Sequence, residues 1–217
     1  VFNQQPVPQG SPEDLTTAAR IRDTAIEVFG EHGFQVGVRK IAAAAGVSPG
    51  LVNHHFGSKD GLRAACDDRV LQLIRDEKVK AITASSMKAG MLDALAEVES
   101  YAPLVAYMVR SLQAGGPMAE SLFEHMTADA EGYLEKAVEA GRIKPSRDPA
   151  ARARYLMMLN VGATMLYMQM RQHRDEKIDY RKAIRELTEE LTPPALEFYT
   201  QGLITDPTIL DTFTKEK

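Results

Sequence analysis

The 217-residue chain is 44% hydrophobic and 26% charged, with a formal net charge of −4, the balance of a soluble protein with core enough to fold unaided. Its single cysteine, Cys66, excludes an internal disulfide, and no apolar run approaches the roughly 20 residues of a membrane helix, so a soluble, cytoplasmic protein is expected. The charge is uneven: Arg20, Arg22, Arg39, Lys40, Lys59 and Arg63 against Asp23, Glu27, Glu31 and Asp60 leave residues 16–63 at +2 and the remainder at −6. That sign suits a small anion-binding head on an acidic body rather than indiscriminate coating of nucleic acid.

Residues 1–10 lack a basic stretch leading into an apolar one, so they read as a flexible polar tail rather than a signal peptide. Ser11-Pro12-Glu13-Asp14 opens the first helix: a capping serine, a proline in the first turn, and acids beside the positive end of the helix dipole. Ile21, Ala25, Val28 and Phe29 follow at helical spacing, and Gly33 ends it. A second helix covers Val38–Ala45, with Ile41, Ala42 and Ala45 facing inward. Gly46 turns the chain, and Ser48 caps a third helix over Pro49–Phe56.

Ser58 caps a long fourth helix whose stripe (Leu62, Ala65, Cys66, Arg69, Val70, Leu73, Ile74) runs towards Ala84. Ser85–Gly90 reads as a hinge. Beyond it the pattern predicts helices at Met91–Ser100, Pro103–Gln113, Pro117–Ala140, Pro149–Gln172 and Tyr180–Leu191. Gly115-Gly116 and residues 141–149 are breaks, and Pro193-Pro194 separates a last helix ending near Leu203. The expected fold is all-α with nine or ten helices: a tail at 1–10, a head at 11–62, a helical body at 63–204, and a tail at 205–217.

Two helices joined by Ala45-Gly46-Val47 have the form of a helix-turn-helix, in which the first helix braces and the second enters the DNA major groove. Adjacent His54 and His55 raise the alternative of a metal or acid–base site. Neighbouring helical positions project about 100° apart, however, and no Glu or Cys partner stands three or four residues away. Neither a metal nor a catalytic role is expected, and no cofactor.

The order of Phe29-Gly30-Glu31-His32-Gly33-Phe34, Val38-Arg39-Lys40-Ile41-Ala42, Ala45-Gly46-Val47-Ser48-Pro49-Gly50 and His55-Phe56-Gly57-Ser58-Lys59-Asp60-Gly61-Leu62 resembles the DNA-binding domain of the TetR family of repressors, over about Thr16–Asp76. The resemblance implies a three-helix head and a C-terminal body that dimerises and holds a small-molecule pocket. It assigns DNA contact to Arg39, Lys40, Ser48, Pro49, Gly50, Leu51, Asn53, His54, His55 and Lys59. His55 is expected to pack beneath the recognition helix and bond backbone or phosphate, His54 to face the groove, and Lys59 to grip phosphate. Two positions depart from the family pattern: glycine (Val36-Gly37-Val38) replaces the usual capping threonine, and Asn53 stands where tyrosine is common.

Tyr107, Met108, Phe123, Met126, Tyr133 and Met165 are the candidate ligand-pocket residues, since methionine adapts to flexible apolar ligands, although such a stripe also reads as plain core. The helix Pro149–Gln172 is apolar nearly all round and must be covered on both sides. The family carries a two-fold interface to Leu159, Gly162, Leu166, Leu196, Tyr199 and Leu203. The expectation is a homodimeric regulator of a palindromic double-stranded operator, released by a small, largely apolar effector, with no membrane partner. A helical-bundle enzyme using His54 or His55, and an interaction module without DNA binding, are the alternatives.

Overall fold

The structure is a computed structural model that describes residues 12–172, 178–206 and 208–214. Among them are ten α-helices, one 3-10 turn and no strand. The head is α1 (Pro12–His32), α2 (Val38–Ala44) and α3 (Pro49–Phe56); α4 (Lys59–Thr83) leads out of it. The body continues with α5 (Met87–Ala96), the 3-10 turn Val98–Tyr101, α6 (Ala102–Ala114), α7 (Gly116–Glu139), α8 (Pro149–Gln172), α9 (Tyr180–Gln201) and α10 (Thr208–Thr214).

Serine side chains cap three of these helices, and Asp179 caps α9. Ser48 Oγ accepts from Leu51 N at 3.2 Å, Ser58 Oγ from Gly61 N at 3.0 Å and Ser86 Oγ from Ala89 N at 3.1 Å; each such cap stabilises its helix by about 1 kcal/mol. Gly37 caps α2 without a side-chain bond.

The head core gathers Ile21, Ala25 and Phe29 of α1, Ile41 and Ala42 of α2, Val52 of α3, and Leu62, Cys66 and Val70 of α4. Fully burying an Ile or Phe side chain is worth about 1.5–3 kcal/mol, and Ile21, Phe29, Ile41 and Leu62 are all 0% exposed. Tyr107 of α6 closes this same core, so head and body share an interior. Two further cores hold the body. One joins α6 (Ala102, Val105, Val109) to Met168 of α8 and Ala183, Ile184 and Leu187 of α9; the other joins Leu71 of α4 to Leu122 and Met126 of α7. Met108, half-buried, packs against all three.

The structure revises three expectations. The stretch 85–90 is not a hinge: Ser86 caps α5, and Gly90 lies inside it, where a Cβ would come within 2.2 Å of the Ala81 carbonyl oxygen. That glycine marks a close helix crossing, not a turn. Pro193 and Pro194 lie inside an unbroken α9. Each proline removes one backbone donor, but the carbonyls left unpaired, on Glu189 and Glu190, belong to exposed residues where water can satisfy them. Finally, residues 208–214 of the expected C-terminal tail form α10, with Asp211 ion-paired to Arg147 at 2.5 Å. The expected tail at 1–10 lies outside the described residues.

Candidate nucleic-acid interface

Gly46 sits at φ 66°, a conformation that glycine adopts without strain. Its N–H donates to Ala43 and that of Val47 to Ala42, at 3.2 and 2.9 Å, so the end of α2 is satisfied while the chain reverses. The turn then launches α3 with Val52 pointing inward, 1% exposed. Pro49, Gly50, Asn53 and His54 are left exposed, and Gly50, Asn53 and His54 share one face by helical spacing. Leu51 is half-buried, and Ser48 is exposed while its hydroxyl caps the helix. Arg39 and Lys40 stand exposed in the first turn of α2.

Lys59, in the first turn of α4, is half-buried and donates from Nζ to the Phe34 carbonyl. One turn on, the Arg63 guanidinium lies 3.9 Å from the centroid of the Phe34 ring. These two cations at the start of α4 therefore clasp the loop after α1. His55 is half-buried, its ring 5.4 Å from His54 and 6.2 Å from Phe56. Its Nε2 is buried without a hydrogen-bond partner, so that nitrogen makes no backbone bond, contrary to one of the two expectations for it. The two imidazoles lie at 68° to one another, and no group of three metal-ligating side chains occurs among the described residues.

The candidate pocket residues divide. Tyr107 is 0% exposed in the head–body core, its hydroxyl donating to Asp67 Oδ1 at 2.7 Å with a longer contact to the Arg63 carbonyl at 3.3 Å. It faces α1 and α4 rather than the body interior, because the phenol has a buried acceptor there; its placement as a pocket residue is corrected. Met126 is buried, while Met108, Phe123, Tyr133 and Met165 are half-buried in and around the α7–α8 layer. Tyr133 Oη lies 3.7 Å from Met157 Sδ, and burial raises the phenol above its ordinary pKa. The Arg154 guanidinium is 5.5 Å from the Phe123 centroid. A recess of about 380 Å³ between α4 and α5, lined by Glu77, Lys80, Ala81 and Asp93 among others, contains none of the candidate residues.

The candidate interface residues Leu159, Leu166, Leu196, Tyr199 and Leu203 are all exposed, and a Cβ on Gly162 would meet nothing within 4 Å. Tyr155, Met158, Met170 and Phe198 are exposed on the same two helices. The face of α8 turned towards α7, by contrast, is covered through Met157 and Val161. One side of this apolar helix is packed and the other is bare.

Sequence reasoning missed the contact joining head to body. Gly30, in the last turn of α1, lets α6 approach so closely that a Cβ would lie 3.0 Å from Ala106 Cβ and 3.2 Å from Tyr107 N. Arg110 Nε donates to the Gly30 carbonyl at 3.5 Å. Glycine inside an otherwise helical pattern was the available signal.

A sequence profile described as "Bacterial regulatory proteins, tetR family" matches residues 21–66, and one described as "Tetracyclin repressor-like, C-terminal domain" matches residues 99–205. The HTH-type transcriptional regulatory protein RaaS of Mycobacterium tuberculosis is 51% identical over 203 residues, 94% of each chain. The chain belongs to the TetR family of transcriptional regulators. Its helix-turn-helix is thus that of a DNA-binding regulator. Solved structures share the fold. FadR of Bacillus subtilis, in complex with stearoyl-CoA, superposes with a TM-score of 0.57 at 20% identity, covering 86% of this chain and 99% of that one. SmeT in complex with triclosan gives 0.54 at 24% identity, covering 81% and 91%. Among the described residues of this regulator, no helix is long and apolar enough to cross a membrane.

Proposed function

We propose that this regulator acts in the cytoplasm as a homodimeric repressor, holding a palindromic operator through paired heads and releasing it when a small, largely apolar effector enters the body. The observation that carries the reading is the exposed face of α3: Gly50, Asn53 and His54 stand free, with Arg39 and Lys40 exposed on the adjoining helix. In a major groove, Asn53 supplies an amide suited to an adenine edge. Ser48, Pro49, Gly50 and Leu51 bring the start of α3 to the backbone, where free N–H groups favour phosphate. Lys59 reaches phosphate by releasing or sharing its bond to Phe34. His55, half-buried beside His54 and Phe56, supports α3 from behind its exposed face.

The bare apolar face through Leu159, Gly162, Leu166, Leu196, Tyr199 and Leu203 supports a second copy as its cover, since contiguous exposed apolar surface of this kind marks an interface. The effector reading is supported by the half-buried Met108, Phe123, Tyr133 and Met165 around Met126, and by solved neighbours that hold triclosan or stearoyl-CoA. Effector binding shifts the population towards a body geometry that spaces the two heads wrongly for the operator.

Selection from random DNA, followed by titration of the recovered site, tests the proposal. Asn53→Ala should cost about 1–3 kcal/mol and relax preference at one base pair, whereas Arg39→Ala should weaken all sequences alike and flatten the salt dependence by about one unit. Recovery of no saturable, salt-sensitive site would sink it.

A further inference from the structure

Residues 33–37 join α1 to α2, and their own backbone does little to fix their shape: Val36 N–H reaches the Gly33 carbonyl at 3.5 Å. Gly37, which caps α2, has no side chain to bond the first turn of that helix. Yet this is the turn that carries the exposed Arg39 and Lys40. Side chains from outside the loop therefore decide where those two cations stand.

Phe34 anchors the loop. Its ring lies 5.0 Å from that of Phe29 in α1 and edge-on to Tyr107 of α6 at 5.5 Å. The Arg63 guanidinium covers the ring, 3.9 Å from its centroid. Arg63 is committed to that place: its Nε and Nη2 are buried with no hydrogen-bond partner. Arginine suits it, because a guanidinium is planar and more weakly hydrated than an ammonium, and so stacks on an aromatic face. Lys59, one turn earlier, holds the same residue differently, by a hydrogen bond from Nζ to the Phe34 carbonyl. A flexible lysine stem lets that ammonium turn to a phosphate. The stacked guanidinium stays behind.

We infer that Arg63 is a positioning residue for DNA binding. Stacked on Phe34, it keeps the loop 33–37 in place, and with it Arg39 and Lys40, while Lys59 leaves the Phe34 carbonyl for a phosphate. Arg63 makes no phosphate contact of its own, and its effect passes through the Phe34 ring. The inference rests on the DNA contacts proposed above for Arg39, Lys40 and Lys59.

The test titrates a labelled DNA fragment, recovered with the wild type from random sequence, by fluorescence anisotropy at several salt concentrations. The proteins are the whole chain as wild type, Arg63→Met, Phe34→Leu, the double variant and Lys59→Met, each held below its own melting temperature. Arg63→Met keeps an apolar stem over the ring and removes the cation. It should lose roughly 2- to 30-fold in affinity, with the salt slope of the wild type. Lys59→Met should instead flatten that slope by about one unit. In the Phe34→Leu background, Arg63→Met should cost nothing further. A flattened slope for Arg63→Met makes it a phosphate contact and overturns the inference. So does a lowered melting temperature with wild-type affinity, or an undiminished loss in the Phe34→Leu background. Should Phe34→Leu fail to fold, the affinity and slope of Arg63→Met decide alone. If the wild type binds no recovered fragment saturably, the operator reading falls, and this role with it.

Discussion

Replacing Tyr107 by phenylalanine removes one oxygen and keeps the ring, which packs 6.3 Å from Phe29 and edge-on to Phe34 at 5.5 Å. The loss is therefore the donor alone. Its acceptor, Asp67 Oδ1 at 2.7 Å, belongs to a carboxyl that burial already pushes above the ordinary range, with the Tyr107 hydroxyl and then Arg63 pulling it back down. Stripping a donor from a partly desolvated carboxylate costs about 1–3 kcal/mol. For a chain of this size that lowers the melting temperature by roughly 2–4 °C per kcal/mol.

The pH dependence has a definite sign. A carboxyl whose pKa is raised in the folded state binds protons more readily folded than unfolded. Its favourable contribution is complete below the unfolded value of about 3.9 and fades as pH rises through the folded value. Loss of the hydroxyl raises the folded value further, so the deficit of Tyr107→Phe should be small in acid and grow towards neutrality. Asp67→Asn should abolish the pH dependence of that deficit, and the pair should be coupled in a double-mutant cycle. Calorimetry from acid to neutral pH, at one fixed protein concentration because a dimer's melting depends on it, makes the measurement. A Tyr107→Phe protein that melts with the parent at neutral pH, or a cycle without coupling, refutes the reasoning.

Gly30→Val forces branched carbon into the α1–α6 contact, where even a Cβ would stand 3.0 Å from Ala106 Cβ. It should destabilise by about 1–3 kcal/mol, whereas the same change at Gly132, where a Cβ meets nothing, should be far milder; chemical denaturation distinguishes them. Leu166→Glu places a charge on the bare face of α8, where Leu166 is 59% exposed. Sedimentation should find a dimer for the parent and a monomer for the variant, and a variant that remains dimeric at micromolar concentration would move the interface elsewhere.

Much of the head was legible because its signals are local. Ser48 and Ser58 could be identified as caps three residues before the N–H groups they accept from, and Gly46 as a turn between two inward-facing stripes. The single cysteine likewise belongs to the head core, its thiol donating to the Arg22 carbonyl at 3.6 Å and pushed up to about 12, chiefly by burial. The body was legible only in outline. Gly90 looked like a hinge residue and proved to be a crossing point, because a glycine that frees the backbone and one that admits a neighbouring helix are the same letter. Pro193-Pro194 looked like a break, but two lost donors are tolerable where the orphaned carbonyls face water.

Tyr107 shows the limit most plainly. Its place on the inner face of its helix follows from helical spacing, but two environments compete for that face: the body interior and the head. The choice was made by Asp67, forty residues earlier in the chain, and by the missing side chain at Gly30. Sequence by itself determined the helix-turn-helix, since caps, turns and stripes act over a few residues. Only the tertiary structure decided which helix faces meet, because that depends on partners distant in the chain, such as the hydroxyl of Tyr107 finding a buried acceptor.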